Sequence, residues 1–304
     1  MKKILFLFAL VLSTTVTFTS CDTDDNVVVQ HTDDVMDDDD MTIDPLTADV
    51  QLNVPYGDDP QQVYDLYLPA GRSADKTKVI VIVHGGGWIE GDKADVTDII
   101  NLLQINNPNH AIVNINYRLA TLNTPAFPNQ FLDLQSVINQ VISQKDTYQI
   151  LPEFGLIGLS AGAHISLQYD SVYDLDDDVK FVCNIVGPCD FTDPFYQENP
   201  NFDLYLATLT DESAYPPGTD LAVALSPALQ VSIKTSPTML FYGNMDDLVP
   251  LTNGNTLNTK LETSGIDHQY TIYDGGHGDW NQVQFADLEQ KVSIYIDTYL
   301  TIAE

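Results

Sequence analysis

From Ala48 onward the apolar and polar positions follow two rhythms. Residues 50–54 and 62–68 alternate, with Gly57-Asp58-Asp59-Pro60 between them, and this predicts an antiparallel hairpin. The chain then changes to continuous β-branched or apolar runs at 79–83, 112–115, 181–186 and 238–242. Stretches of helical period at 96–105, 131–142, 251–261 and 283–300 alternate with these runs. Continuous apolar strands alternating with helices predict a mostly parallel sheet covered on both faces. The predicted fold class is therefore α/β, with an antiparallel start and helices on both faces.

One stretch breaks this rhythm. Residues 190–234 are rich in Pro, Asp, Tyr and Phe and carry only short apolar segments. An insertion at the carboxyl end of a strand overhangs the crevice where such sheets bind ligands, so this one reads as a small lid or pocket wall. Its aromatics Tyr196, Phe202 and Tyr205 are candidates either for stacking on a ring-shaped ligand or for lid core. No internal repeat and no second folded domain is expected.

The first residues read differently. Residues 1–20 carry two lysines, a short apolar stretch and then small and hydroxyl residues before Cys21. That is the layout of a secretory signal, with an apolar region too short to span a bilayer. The residues before Cys21 resemble a bacterial lipoprotein cleavage box, with Phe18 where leucine is usual. The resemblance makes Cys21 the lipidation site and puts the protein in the bacterial cell envelope, anchored to the outer membrane or secreted. Residues 21–47 form an acidic tether: between Asp22 and Asp49 there are eleven Asp and neither Lys nor Arg, a composition that buries nothing. Residues 48–304 are left as one catalytic-sized domain.

Charge narrows the partners. The chain carries 44 acidic against 12 basic residues, and the imbalance continues through the domain. So negative a surface repels nucleic acid and anionic lipid, which leaves membrane contact only through an N-terminal anchor. Apart from Cys21 there are only Cys183 and Cys189. Six residues of extended chain span ~20 Å, far beyond the ~5.5 Å between bridged Cα atoms, so only a reversal at Gly187-Pro188 joins them. Two unpaired thiols are expected.

The candidate chemistry starts at Gly158-Leu159-Ser160-Ala161-Gly162, after the apolar run 154–159 and before an apparent helix at 163–169. A serine on a sharp strand-to-helix turn needs small neighbours, and the following helix aims free N–H groups at the same spot. The hydroxyl is a poor nucleophile without a base, and the base needs an orienting carboxylate. After the run at 238–242, Asp246 and Asp247 offer the carboxylate; after a strand at 270–273, Asp274-Gly275-Gly276-His277-Gly278 presents one imidazole. Of the other histidines, His31 lies in the tether, His110 and His268 open strands, and His164 follows the elbow on its helix. His277 is the base. Upstream, His84-Gly85-Gly86-Gly87-Trp88 follows the strand at 79–83, and its glycines let backbone N–H groups approach a developing oxyanion. The expected donors are Gly86, Gly87 and Ala161.

Together these motifs resemble the α/β-hydrolase esterases with a His-Gly-Gly-Gly oxyanion motif, related to hormone-sensitive lipase. They are most similar to bacterial carboxylesterases of the feruloyl and acetyl-xylan esterase type. The matches are His84 to Trp88, Gly91-Asp92-Lys93, Asp65-Leu66-Tyr67-Leu68-Pro69, Asn116-Tyr117-Arg118-Leu119 and Ser160-Ala161-Gly162-Ala163-His164, with Ala163 where glycine is usual. The resemblance covers residues 56–300 and selects Asp246, which fits the family's Gly-x-x-Asp-x-x-Val-Pro spacing. It implies the α/β-hydrolase fold and hydrolysis of small esters or acylated carbohydrate (acetyl or feruloyl) through Ser160, His277 and Asp246, with no metal and no cofactor. Amide hydrolysis, as in arylformamidases or prolyl-oligopeptidase-like peptidases, is the enzymatic alternative. A non-catalytic carbohydrate-binding lipoprotein is the alternative from another class.

Overall fold

The computed structural model describes residues 46–303. The expected signal, Cys21, His31 and most of the tether lie outside the described residues. Eight strands form one sheet: β1 (Asp49–Pro55), β2 (Val63–Leu68), β3 (Val79–Val83), β4 (Ala111–Ile115), β5 (Phe154–Leu159), β6 (Val179–Ile185), β7 (Thr238–Gly243) and β8 (His268–Tyr273). Their order is β1-β2-β4-β3-β5-β6-β7-β8. Strand β2 pairs antiparallel with both β1 and β4, and every later pairing is parallel. The antiparallel start and parallel body are those the hydrophobic pattern predicts.

The helices are α1 (Thr97–Asn106), α2 (Asn129–Ser143), α3 (Lys145–Tyr148), α4 (Ala161–Gln168), α5 (Pro194–Gln197), α6 (Phe202–Leu209), α7 (Leu221–Ala224), α8 (Pro227–Gln230), α9 (Leu251–Ser264) and α10 (Gln282–Tyr299). Strand β3 shows why its sequence is apolar throughout: all five residues are buried. Val79, Val81 and Val83 join Leu134, Val137 and Ile138 of α2 in one core. Ile80 and Ile82 join Ile100 and Leu103 of α1 and Val292 and Ile296 of α10 in the other. Alternate residues of a strand face opposite sides, so a strand covered on both needs apolar residues at every position.

Cys183 belongs to the second core and Cys189 to the first, so the sheet lies between the two, and both thiols are free. Residues 190–234 form short helices, α5 to α8, at the carboxyl end of β6. Their entrance is tied down by Asn253 of α9, whose Oδ1 accepts the N–H groups of Cys189 and Asp190. Asp193 caps α5 and also accepts from Thr252 and Asn253. Among the described residues no helix is long and apolar enough to cross a membrane.

Because β3, β5, β6, β7 and β8 run parallel, their carboxyl ends lie along one edge of the sheet. The loops that follow them bring together residues widely separated in sequence.

Candidate active site

Ser160 sits between β5 and α4 with φ +50° and ψ −117°, a conformation that costs on the order of 1–3 kcal/mol for a non-glycine residue. Two glycines make the turn possible. A Cβ on Gly158 would fall 2.4 Å from Ala163 Cα, and one on Gly162 would fall 2.2 Å from Val83 O. The Ser160 N–H donates to Ile185 O at the end of β6. The helix therefore starts at Ala161, two residues before the sequence pattern places it, with its N-terminus against the serine.

His277, on the loop after β8, accepts from the Ser160 hydroxyl at Nε2, 2.9 Å away. Its Nδ1–H donates to Asp246 Oδ2 at 2.7 Å. Asp246 Oδ1 accepts the N–H groups of Leu248 and Val249 at 2.8 and 2.9 Å. The carboxylate is fully buried, while the imidazole keeps 20% of its side chain exposed. Asp247 is exposed and takes no part in this chain of bonds. The structure thus brings Ser160, His277 and Asp246 into one hydrogen-bonded line. The other described histidines bond elsewhere: His84 to Gly85 O, His110 to Leu300 O, His268 to Ile266 O and His164 to Trp88 and Leu225.

The oxyanion loop lies directly against the elbow, since a Cβ on Gly85 would sit 3.3 Å from Ser160 Cβ. Gly86, Gly87 and Trp88 have φ of +123°, +56° and +66°, three successive residues in a region that L side chains rarely adopt. At Gly86 a Cβ would fall 1.8 Å from Glu90 O, so only glycine fits. No backbone or side-chain acceptor among the described residues takes the N–H groups of Gly86, Gly87 or Ala161. Free N–H groups beside a nucleophile can stabilise charge that develops on a carbonyl oxygen.

Several supports of this loop escape a reading of sequence alone. The Tyr117 ring stacks on His84 at 4.3 Å, and its hydroxyl donates to His84 O. The His84 Nδ1–H donates to Gly85 O, and burial lowers the pKa of the imidazole. Asp65 and Lys93 form a buried ion pair at 2.8 Å, and Asn116 bonds both the Lys93 N–H and Asp92. Those residues belong to motifs visible in sequence, but what they join depends on strands β2, β3 and β4 being neighbours. Gln130 gave no signal at all; its Nε2 donates to the carbonyls of Trp88 and Arg118.

Of the insertion aromatics, Tyr196 stacks on Phe202 with ring centroids 5.2 Å apart, and Phe202 is buried as lid core. Tyr205 is exposed, as are Ile89, Met245 and Leu248 on the loops that carry the oxyanion glycines and Asp246.

The family model described as BD-FAE matches residues 64–261. Esterase LipC of Mycobacterium tuberculosis is 23% identical over 243 residues, covering 72% of this chain and 60% of its own length. The chain spans between half and three-fifths of the length of the curated relatives it matches over its greater part. Among solved structures, a truncated carbohydrate esterase from gut microbiota superposes with a TM-score of 0.65 at 21% identity, covering 83% of this chain and 99% of that one. An acetyl ester-xyloside bifunctional hydrolase from Caldicellulosiruptor lactoaceticus superposes with a TM-score of 0.62 at 20% identity, covering 79% and 90%. The shared fold is that of the α/β-hydrolase esterases.

Proposed function

The chain belongs to the BD-FAE family, and from that premise we propose that it is a serine carboxylic-ester hydrolase. The observation that carries this reading is the line Ser160–His277–Asp246 beside a loop with free N–H groups. Ser160 Oγ attacks the ester carbonyl carbon while its proton passes to His277 Nε2. Asp246 holds the imidazole through Nδ1 and balances the charge of the imidazolium. The N–H groups of Gly86, Gly87 and Ala161 receive the oxyanion. Collapse of the tetrahedral intermediate expels the alcohol, which takes the proton from His277. Water, deprotonated by the same imidazole, then attacks the acyl-serine; the acid leaves as Ser160 Oγ takes the proton back from His277.

The proposed substrates are acetyl or feruloyl esters of carbohydrate, and small esters of the same acids. Two observations support this class. Structural neighbours include proteins named for carbohydrate-ester and acetyl ester-xyloside hydrolysis. Exposed Tyr205 offers a ring face on the insertion, and Ile89, Met245 and Leu248 offer apolar contact beside the chemistry. Lipidation at Cys21 and attachment to the cell envelope belong to the same proposal and rest on residues 1–21.

The decisive experiment is Ser160→Ala. It is expected to fold as the parent does and to lose about 10⁶-fold in kcat on p-nitrophenyl acetate. Full activity in that variant overturns the mechanism. A panel of acetylated xylan, methyl ferulate and p-nitrophenyl esters of rising chain length then sorts the acyl and alcohol preferences.

A further inference from the structure

Trp88 is the oddest residue of the oxyanion loop. A bulky side chain at φ +66° is an outlier, and such strain persists only where the surroundings over-determine it. Its carbonyl accepts from Ala120 N–H at 2.9 Å and Gln130 Nε2 at 2.8 Å. Its indole N–H donates to His164 Nδ1 at 3.2 Å. On the opposite side of the same imidazole, Nε2–H donates to Leu225 O of the insertion at 2.8 Å. An indole can only donate and a carbonyl can only accept, so both bonds form only in the neutral tautomer protonated at Nε2. His164 is completely buried, with Trp88, Phe127, Phe131 and Phe191 packed around its ring. None of these neighbours, nor the Leu225 carbonyl, titrates or carries charge. Burial pushes the pKa of His164 down to about 4, which keeps the imidazole neutral in the range where an esterase works.

His164 therefore touches three parts of the protein at once: it grows from the elbow helix, holds the oxyanion loop and is bonded to the insertion. We propose that His164 is a positioning residue that ties Trp88 to Leu225 and thereby keeps the Gly86 and Gly87 N–H groups in register with Ser160. The oxyanion donors hold their place only while the insertion is docked, so a substrate contact that shifts the insertion changes kcat. The proposal rests on the serine-hydrolase reading above.

The test uses the full chain, with rates expressed per active site titrated by a fluorophosphonate. Trp88→Phe removes the indole N–H and keeps an aromatic ring. His164→Gln keeps a donor for Leu225 and loses the acceptor for Trp88, whereas His164→Asn does the reverse. Displacing reacting groups by ~1 Å costs up to ~10²-fold, so Trp88→Phe and His164→Gln are each expected to lower kcat about 10- to 100-fold with little change in KM. The double variant is expected to lose no more than the worse single one, because both break the same bond. The affinity of a trifluoromethyl ketone, whose adduct carries the oxyanion, is expected to fall in parallel with kcat. His164→Asn is expected to lose about 10-fold through the insertion side alone. An unchanged kcat per titrated site in Trp88→Phe overturns the proposal, even where His164 variants fail to fold, because it reduces the contact to a structural one. Full activity per site in His164→Asn overturns the link to the insertion. Failure of the wild-type enzyme to react with the fluorophosphonate sinks the serine-hydrolase reading itself.

Discussion

Two imidazoles serve the region around Ser160, His277 from the loop after β8 and His164 from α4, and each is hydrogen-bonded at both ring nitrogens. His277 sits between a carboxylate and a hydroxyl, at 2.7 and 2.9 Å, with part of its ring open to solvent. His164 sits between an indole and a backbone carbonyl, fully enclosed by aromatic rings. Hydrogen bonding alone does not make an imidazole a base. A partner that can balance positive charge permits proton uptake; neutral partners in a dry pocket forbid it. In the proposed mechanism one half of the site relays a proton, and the other holds a shape.

Making the two imidazoles alike is the strongest way to break that contrast. Asp246→Asn leaves His277 with a neutral partner, as His164 has, and favours the wrong tautomer. The expected loss is ~10⁴-fold in kcat for p-nitrophenyl acetate, measured at pH 7 to 8. A variant within tenfold of wild type would show that the carboxylate matters less than the geometry.

The shape-holding half is tested at Gly86. Gly86→Ala places a Cβ against Glu90 O and forces the loop open, with an expected loss of 10²- to 10³-fold in kcat and the Ser160–His277 pair left intact. Retained fluorophosphonate labelling, only slowed, would separate this effect from damage to the triad.

The smallest effect concerns stability. His164 has its folded pKa lowered to about 4 from an ordinary 6.5. Its contribution is therefore complete above pH 6.5 and is lost as pH falls toward 4, because the unfolded chain takes up a proton that the folded one refuses. The linkage amounts to at most about 3 kcal/mol. Urea unfolding between pH 7 and pH 4 is expected to show wild type losing more stability than His164→Gln. Parallel curves would mean that the buried imidazole titrates freely.

What was legible in the sequence follows from the range of the interactions involved. Strand β3 and helices α1, α2 and α10 lie within about two residues of their predicted limits, because a buried strand and an amphipathic helix write their period locally. The place of Ser160 on a strand-to-helix turn and of His277 on the loop after β8 was legible for a related reason: a turn hemmed in by glycine and a glycine-lined loop at a strand end are local features. Asp246 needed the family's spacing to separate it from Asp247. The clamp on Trp88 was not legible, since Gln130 and His164 meet it from α2 and α4 and nothing near them in sequence announces the contact. The positive φ of Val186, where β6 gives way to the insertion, was likewise hidden in a run that reads as unbroken strand. The insertion's helices are not legible because all four, α5 to α8, are at most eight residues long, too short to show a period.

Strand β8 lies at the outer edge of the sheet and carries His277 on the loop that follows it. Residues up to Leu225 carry the Ser160 elbow, the Gly86–Gly87 loop and the insertion bonded to His164, whereas His277 reaches them only through β8 paired with β7. In the proposed mechanism the site is complete only when β8 has joined the sheet, through a contact that spans 117 residues between His277 and Ser160. A chain interrupted before β8 lacks the proposed base, so recovery of hydrolysis is expected to report docking of the final strand rather than collapse of the central sheet.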